Sequence, residues 1–339
     1  MLAGLGWLTA VYPKGAAPGR GRELTVQVRP SMDLGDLSRR LADQGAIEDA
    51  FVFAMYARLL GADERLRDGE VLLTDDMTPR DVLQRIAVGF GGATVRVVIP
   101  EGFHRFAIGA RLERWGLCDA DEFVEATEDQ GLLDELGIVG PSAEGYLFPD
   151  TYRLSPDWGC EGIVRRLVRN HRRRVRPAIE EGADGLAELR DTLGWSAHEV
   201  LILASIVEKE AAVSEERPVI ARVFINRLRD PDFTPKRLQA DPAVSYGCLA
   251  EPDRAESCEG FDGTITRSML QDRDNRFNTY RHEGLPPGPI CNPGLASIRA
   301  VLQSEPNDYL YFVARGRGRH TFSATLEEHN AAVARWRSR

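Results

Sequence analysis

The stretch Ala204-Ser205-Ile206-Val207-Glu208-Lys209-Glu210-Ala211 decides how the second half of this chain folds. Upstream, Ser196 and Glu199 have the Ser-x-x-Glu spacing of a capping box, which predicts a helix that begins at Ala197 and runs for about four turns. Its apolar residues lie on almost every side, as is typical of a helix buried in a core. We therefore expect a core helix that ends in two carboxylates.

Glu208 and Glu210 cannot both act on one bond. At about 100° per residue, two positions two residues apart point roughly 200° away from each other. Catalysis by paired carboxylates needs both groups beside the same bond. One glutamate is therefore expected to carry the chemistry, and the other to support it.

Composition and charge describe an ordinary folded protein of about two domains. The chain has 339 residues, of which 43% are hydrophobic, and its net charge is −9. This charge and the absence of zinc-finger or aromatic RNA-binding motifs argue against nucleic-acid binding. The basic run at 165–176 holds seven arginines. It predicts the solvated face of an amphipathic helix, with a site for an anionic lipid or polymer as the alternative, and the buried face of that helix is expected to hold Ile163, Val164, Leu167 and Val168.

The cysteines and histidines predict no metal site and no cofactor. The five cysteines form no CxxC pair and the six histidines are scattered. Cys248 and Cys258 flank a polar loop, so they are either a disulfide in an oxidising compartment or two unrelated thiols.

The first 23 residues are expected to be a truncated membrane-anchor-like segment and a linker. Residues 2–12 are mostly apolar, but they are fewer than the about 20 needed to cross a bilayer. The alternative is a soluble chain. Residues 13–22 are rich in Gly and Pro and are expected to form the linker.

Residues 24–92 are predicted to form a small binding module of the order strand, helix, helix, strand. Strands are expected at 24–28 and 71–73 and helices at about 33–43 and 47–60, and a further helix is capped by Thr78 with Pro79 at its first position. The Gly-rich segment 89–92 is the expected boundary, and 94–99 the next strand.

The rest of the chain is predicted to be mainly helical, with a connecting region at 93–190 and a second domain at 191–339. Residues 144–152 mix aromatic residues with Gly, Pro and acids, which indicates a loop. Residues 310–314 and 320–323 indicate a hairpin. Further helices are expected at 215–228, from Asp241 as the cap with Pro242 at the first position, from 292–293, and from Thr325 with Glu328 as a capping box.

Seven motifs occur in a fixed order: ASIVEKE (204–210), VFINRL (223–228), LQADP (238–242), FNTY (277–280), GLPPGPI (284–290), NPG (292–294) and YLYFVA (309–314). This series resembles the endolytic murein transglycosylases, the MltG or YceG-like family. The segments HTFS (320–323), EHN (328–330) and 144–151 continue the resemblance, which covers roughly residues 24–337.

The resemblance implies an α+β fold with a small LysM-like N-terminal module and a mainly helical catalytic domain with short β hairpins. It implies a lyase of cell wall biogenesis that cuts nascent peptidoglycan glycan strands internally, with strand termination as its role. The enzyme would be anchored in the inner membrane, with its catalytic domain in the periplasm and peptidoglycan synthases as further partners. The family's catalytic residue is the second Glu of Glu-Lys-Glu, which is Glu210 in this sequence.

A lytic transglycosylase needs a single carboxyl group. This group protonates the leaving glycosidic oxygen and then accepts the proton of the muramyl C6 hydroxyl, which closes onto the anomeric carbon to give 1,6-anhydro-N-acetylmuramic acid. Glu210 suits this task, because the C-terminal end of a helix disfavours negative charge and an apolar helix desolvates the carboxylate. Both effects are expected to raise its pKa.

The remaining candidates are substrate-binding or supporting residues. Their alternative roles are capping, loop hydrogen bonds and, for the aromatic residues, core packing. They are Glu208, Gln239, Asp241, Asn278, Thr279, Tyr280, Glu144 and Tyr146.

Two rival functions are also compatible with the sequence. A muramidase-type hydrolase would use the same acid, Glu210, but would also need a base to activate water. A non-catalytic peptidoglycan-binding scaffold would rely on the N-terminal module alone.

Overall fold

The computed structural model of the protein describes residues 2–15, 19–29, 32–63, 65–66, 69–87 and 94–337. The helices are α1 (Leu2–Ala10), α2 (Leu34–Asp43), α3 (Ala50–Leu59), α4 (Pro79–Ile86), α5 (Arg105–Arg114), α6 (Ala120–Glu128), α7 (Gln130–Glu135), α8 (Gly159–Glu181), α9 (Ala183–Leu193), α10 (Ala197–Glu210), α11 (Arg217–Arg229), α12 (Asp241–Ala250), α13 (Arg267–Gln271), α14 (Leu295–Leu302) and α15 (Leu326–Arg337). The strands are β1 (Glu23–Val28), β2 (Gly69–Thr74), β3 (Val95–Ile99), β4 (Asp150–Leu154), β5 (Tyr311–Gly316) and β6 (Arg319–Ser323). They pair as β1 with β2, β3 with β4 and β5 with β6. The predicted α+β class, with many helices and short hairpins, is confirmed.

The chain forms two compact units. The first consists of Met1–Val97, Leu112–Cys118 and Tyr152–Gly159, and the second of Val98–Arg111, Asp119–Thr151 and Cys160–Arg339. The four segments predicted from the sequence, 1–23, 24–92, 93–190 and 191–339, stay predictions, and the Gly-rich boundary at 89–92 lies outside the described residues.

The first unit has the predicted order of strand, helix, helix and strand. β1 and β2 are antiparallel, with Glu23 opposite Thr74 and Val28 opposite Gly69. Asp33 caps α2 and Thr78 caps α4, where its side chain accepts the N–H of Asp81. The LysM-like identity of this module stays a prediction. No helix in the described ranges is both long and apolar enough to cross a membrane.

In the second unit, α8 carries the basic run. Its buried face includes Ile163, Val164, Leu167 and Val168, as predicted. At one end of this unit β5 and β6 form the predicted antiparallel hairpin, with Phe312 opposite Phe322. Cys248 and Cys258 form a disulfide, which selects one of the two alternatives that the sequence left open.

Helix α10 is the centre of the second unit. Its capping box is present, since Ser196 N–H donates to Glu199 Oε2 over 2.7 Å and the Ser196 side chain accepts from the start of the helix. All eight residues from 200 to 207 are buried, and the helix packs against α11, α12 and α14. The predicted buried helix with a capping box is confirmed.

Two predicted helix starts are wrong. Asp241 is not a cap, because Ala240 occupies the cap position and Asp241 is already the first helical residue. The helix expected from 292–293 begins instead at Leu295, with Gly294 as its cap. In both cases the polar side chain that suggested a cap makes its hydrogen bonds elsewhere: Asp241 accepts from Tyr280, and Asn292 binds Glu144 and Leu147.

Candidate functional site

Glu210 is the last residue of α10. Its backbone completes the helix, while its side chain is only partly exposed and makes no hydrogen bond within the described part of the chain. A buried carboxyl group without a partner is costly to ionise. Glu210 is therefore free to donate a proton to a ligand.

Asp241, at the start of α12, is the second carboxylate of this site. The Tyr280 hydroxyl donates a hydrogen bond to Asp241 Oδ1 over 2.6 Å. The negative charge of Asp241 acts on Glu210 and raises the pKa of that carboxyl group. The site thus places a charged carboxylate near a second carboxyl group.

Arg227 on α11 is the cation of the site. It is 6% exposed. Its Nε donates to Leu310 O over 2.7 Å, and its Nη1 donates to Leu238 O. Its guanidinium carbon lies 5.7 to 5.9 Å from the ring centroids of the four residues Phe224, Phe233, Tyr311 and Phe312. Burial lowers the pKa of Arg227 to about 10, so the side chain stays charged at neutral pH.

These surroundings set the protonation of Glu210. Burial, together with the charge of Asp241, raises the pKa of Glu210 to about 7, and the positive charge of Arg227 opposes the increase. The predicted rise of this pKa therefore rests on burial and on a like charge. A carboxyl group with this pKa can both donate and accept a proton near neutral pH.

The segment that carries Asp241 is held by Thr279. The Thr279 hydroxyl accepts from Ala240 N–H over 2.9 Å and donates to Ala240 O, while Thr279 O accepts the N–H of Gln239. Gln239 has a φ of 55°, in the left-handed region, and an exposed side chain without a hydrogen bond. Such strain in a non-glycine residue costs roughly 1–3 kcal/mol and clusters at functional sites.

Asn278 orients the neighbouring segment rather than facing solvent. It is fully buried, its Nδ2 donates to Met269 O and Asp272 O, and its Oδ1 accepts from Tyr280 N–H over 3.0 Å. Asn278 and Thr279 therefore hold Tyr280 and the segment before α12 in place. Direct contact of either side chain with a substrate stays a prediction.

Glu208 has a different environment from Glu210. Its carboxylate accepts from Ser297 Oγ over 2.7 Å, from Gly294 N–H over 3.1 Å and from Arg217 over 3.3 Å. These partners belong to α11 and to the start of α14. As predicted, Glu208 contacts surrounding polar groups, and both of its carboxylate oxygens accept hydrogen bonds.

Glu144 lies in another hydrogen-bond network. It is 1% exposed, and it accepts from Arg105 N–H over 2.9 Å and from Asn292 Nδ2 over 2.6 Å. Burial raises the pKa of Glu144 to about 7, although the backbone N–H of Arg105 lowers it. These contacts fix the loop at 144–148, and none of them involves Glu210.

Tyr146 lies near the other end of α10. Its hydroxyl is 2.8 Å from His198 Nδ1, and the two rings are stacked. His198 precedes Glu210 by twelve residues, which is about 18 Å along a helix. The structure therefore does not bring Tyr146 to Glu210, and its expected contact with substrate stays a prediction.

Arg227 was absent from the candidates drawn from the sequence, although a signal for it existed. Positions 220, 223, 224 and 227 have the spacing of one helical face, and the first three carry Ile, Val and Phe. An arginine on such an apolar stripe must be buried with specific partners. Among the described residues, no group of three His, Cys, Asp or Glu could hold a metal ion.

The fold and site together define a class of α+β proteins built around a buried helix that ends in an acidic residue. A family model described as the YceG-like family matches residues 26–335. The chain belongs to the YceG-like family, which confirms the resemblance seen in the motifs.

Relatives and solved structures of known name are similar to this chain, among them the following three. The endolytic murein transglycosylase of Bacillus subtilis is 26% identical over 328 residues, which are 92% of this chain and 84% of the relative. That of Streptococcus pneumoniae serotype 2 is 25% identical over 340 residues, which are 92% of this chain and 58% of the relative. The 2.6 Å crystal structure of a YceG-like protein from Listeria monocytogenes has a TM-score of 0.59 and 30% identity, covering 92% of this chain and 100% of that one.

The contrast between Glu208 and Glu210 gives a stability prediction. Since the pKa of Glu210 is raised from 4.5 to about 7, the folded chain retains a proton there that the unfolded chain loses, and wild-type stability falls as the pH rises through this window. Glu210→Gln removes this loss. We expect it to increase the free energy of unfolding at pH 8 by on the order of 1–3 kcal/mol and to leave it unchanged at pH 4.

Glu208→Gln is the matched control, two residues away on the same helix. It leaves Arg217 without its carboxylate partner, so it should destabilise the chain at pH 8 by about 1–3 kcal/mol. Urea unfolding at several pH values measures both variants. A Glu210→Gln effect that is destabilising, or equal at pH 4 and pH 8, would show that Glu210 is an ordinary surface carboxylate.

Proposed function

We propose that this protein is an endolytic lytic transglycosylase that cleaves the MurNAc-GlcNAc bond of peptidoglycan glycan strands without water. The observation that carries the proposal is the carboxyl group of Glu210, which makes no hydrogen bond with any described residue and whose pKa is raised to about 7. The names of the Bacillus and Streptococcus relatives support murein as the substrate.

In the proposed reaction Glu210 transfers its proton to the glycosidic oxygen as the bond from this oxygen to the anomeric carbon breaks. Its carboxylate then takes the proton of the muramyl C6 hydroxyl, whose oxygen forms a new bond to the same anomeric carbon. The proton count is restored, and the product carries a 1,6-anhydro end. One group of matched pKa performs both proton transfers.

Asp241 has a separate part in this mechanism. Its charge faces the positive character that develops at the anomeric carbon when the glycosidic bond breaks, and stabilising such charge is a large contribution to catalysis. The hydrogen bond from Tyr280 holds the carboxylate in one orientation. Gln239, exposed and without a side-chain hydrogen bond in the described part of the chain, is placed to bind sugar hydroxyl or acetamido groups.

The finer features of the proposal rest on the family resemblance. They are action on nascent strands, glycan strand termination, classification among the carbon-oxygen lyases that act on polysaccharides, and partnership with peptidoglycan synthases. We also propose that the protein works at the inner membrane with its catalytic unit in the periplasm. The Cys248–Cys258 disulfide supports an oxidising compartment, where disulfides persist.

Asp241 also favours a second candidate, a muramidase-type hydrolase. A carboxylate in the same site as the acid could activate a water molecule for attack on the anomeric carbon. This rival would produce reducing ends instead of anhydro ends, so the chemistry of the product separates the two functions.

The products that the protein releases from purified glycan strands test the proposal. We expect the wild-type chain to generate internal cuts with 1,6-anhydro ends, and Glu210→Gln to lower the rate by at least about a hundredfold, the lower range for losing a general acid. Mass spectrometry of the fragments measures both, and circular dichroism checks that the variant is folded. Reducing ends would favour the hydrolase, and unaltered cleavage by Glu210→Gln would exclude this residue as the acid.

The charges around Glu210 predict opposite shifts of the pH profile. Activity should fall as the pH rises through the pKa of Glu210, because the acid is then deprotonated. Asp241→Asn removes a like charge and should move this fall to lower pH, whereas Arg227→Gln removes an opposite charge and should move it to higher pH.

The pH at half-maximal kcat/KM is the quantity to compare, since both variants are also expected to lower the maximum. Arg227→Lys keeps the positive charge and should leave the midpoint near its wild-type position. Midpoints that move in the same direction in Asp241→Asn and Arg227→Gln would contradict the assigned electrostatics.

A further inference from the structure

A cleft of about 510 Å³ lies along α11, and the proposed reaction does not use it. The lining of this cleft does not include the three charged residues of the proposed active site, Glu210, Asp241 and Arg227. Arg222 and Arg227 differ by about 140° around the helix axis, so these two arginines point to different sides of α11. Polar and charged residues line most of the cleft, namely Arg222, Asn226, Arg229, Asp230, Asn307 and Asp308.

Arg222 lines this cleft with unused hydrogen-bond donors. The residue is 7% exposed, and its Nε is buried with no acceptor in the described part of the chain. Its one ion pair with a described residue joins Nη1 to Glu188 Oε1 over 3.5 Å, and the same oxygen is 2.6 Å from Arg229 Nη1. Two guanidinium groups thus share one carboxylate. Buried charged donors normally have acceptors, so this side of the cleft suits a carboxylate.

Two acidic residues, Asp230 and Asp308, also line the cleft. Asp230 follows Arg222 by eight residues, or about 12 Å along the axis of α11. Asn226 lies between them, about 6 Å from Arg222 along this axis, and its Nδ2 donates to Asn307 O and Tyr309 O, which places Asp308 beside it. Asp308 is exposed, and its side chain makes no hydrogen bond or ion pair with the residues that the structure describes. The cleft therefore combines basic side chains, Arg222 and Arg229, with acidic ones, Asp308 and Asp230.

We infer that this cleft binds a short peptide with a free carboxylate and a free amine, and that the peptide is the stem carried by the murein strand. The carboxylate would accept from Arg222, and the amine would lie at Asp308. An extended chain advances about 3.3–3.6 Å per residue, so a peptide of two or three residues matches the roughly 6–12 Å that α11 rises from Arg222 to Asn226 and Asp230. The identity of the peptide rests on the proposed function, whereas binding itself can be measured without cleavage.

Calorimetric titration of the full chain with the peptide N-acetyl-L-Ala-γ-D-Glu-L-Lys tests the inference. We expect saturable binding with a Kd of about 1 mM or tighter. Arg222→Gln should weaken it by about ten- to a hundredfold, and Arg222→Lys less, because hydrogen bonds to charged groups are strong. Since Arg222 is buried, the exposed Asp308 supplies a second variant. Asp308→Asn should weaken binding by about two- to fivefold, whereas Glu305→Gln on the same exposed segment should not.

The peptide itself supplies the other controls. Acetylation of its lysine amine should remove the effect of Asp308→Asn, and conversion of its carboxylates to amides should remove the effect of Arg222→Gln. No saturable binding up to about 20 mM, or binding that Arg222→Gln and Asp308→Asn leave unchanged, would overturn the inference.

Cleavage rates identify the source of the peptide. Asp308→Asn should lower the rate on peptide-bearing strands but not on strands stripped of peptide. Binding of the free peptide without this difference would overturn the assignment to the murein stem. Absence of cleavage on both strands would instead count against the proposed function and would leave the binding result intact.

Discussion

The burial of α10 is the constraint on which the second unit depends. All eight residues from 200 to 207 are buried, and α11, α12 and α14 pack around them. Burying one large aliphatic side chain stabilises a fold by about 1.5–3 kcal/mol, so this helix has one favourable position and rotation. Because that rotation is fixed, Glu208 must face α14 and Glu210 must face α12 and Arg227. The chemistry of the site is therefore a consequence of core packing.

The same packing explains why two glutamates on one helix end differ so much. Glu208 accepts hydrogen bonds from Arg217, Ser297 and a backbone N–H. Glu210 makes no hydrogen bond with the described residues, and burial and the negative charge of Asp241 both favour its neutral form. The surroundings of each side chain, and not its chemical type, therefore assign a structural role to Glu208 and an acid to Glu210.

Sequence rules that involve only neighbouring residues predicted the local structure correctly. They failed at positions where segments distant in the chain contact each other. The capping box of Ser196 was predictable because two residues only three positions apart, Ser196 and Glu199, determine it. The pattern at Asp241 predicts a helix cap that the structure does not have, and the pattern around Arg227 does not by itself show what this side chain binds. In both cases the partner, Tyr280 or Leu310, lies far along the chain. Pairing of Cys248 with Cys258 stayed open for a similar reason, because cysteine spacing does not determine connectivity. Most helices and hairpins were thus accessible from sequence, whereas the environment of Glu210 required the fold.

Glu210 retains its proton up to nearly neutral pH because of its burial and the charge of Asp241. The most direct measurement of this protonation is a titration of the Glu210 side-chain carboxyl carbon by NMR in chain labelled with ¹³C-glutamate, with the Glu210→Gln spectrum used to assign the signal. We expect a midpoint at about 7. A midpoint near 4.5, the ordinary value for glutamate, would show that Glu210 is ionised at neutral pH and is not the acid of the site.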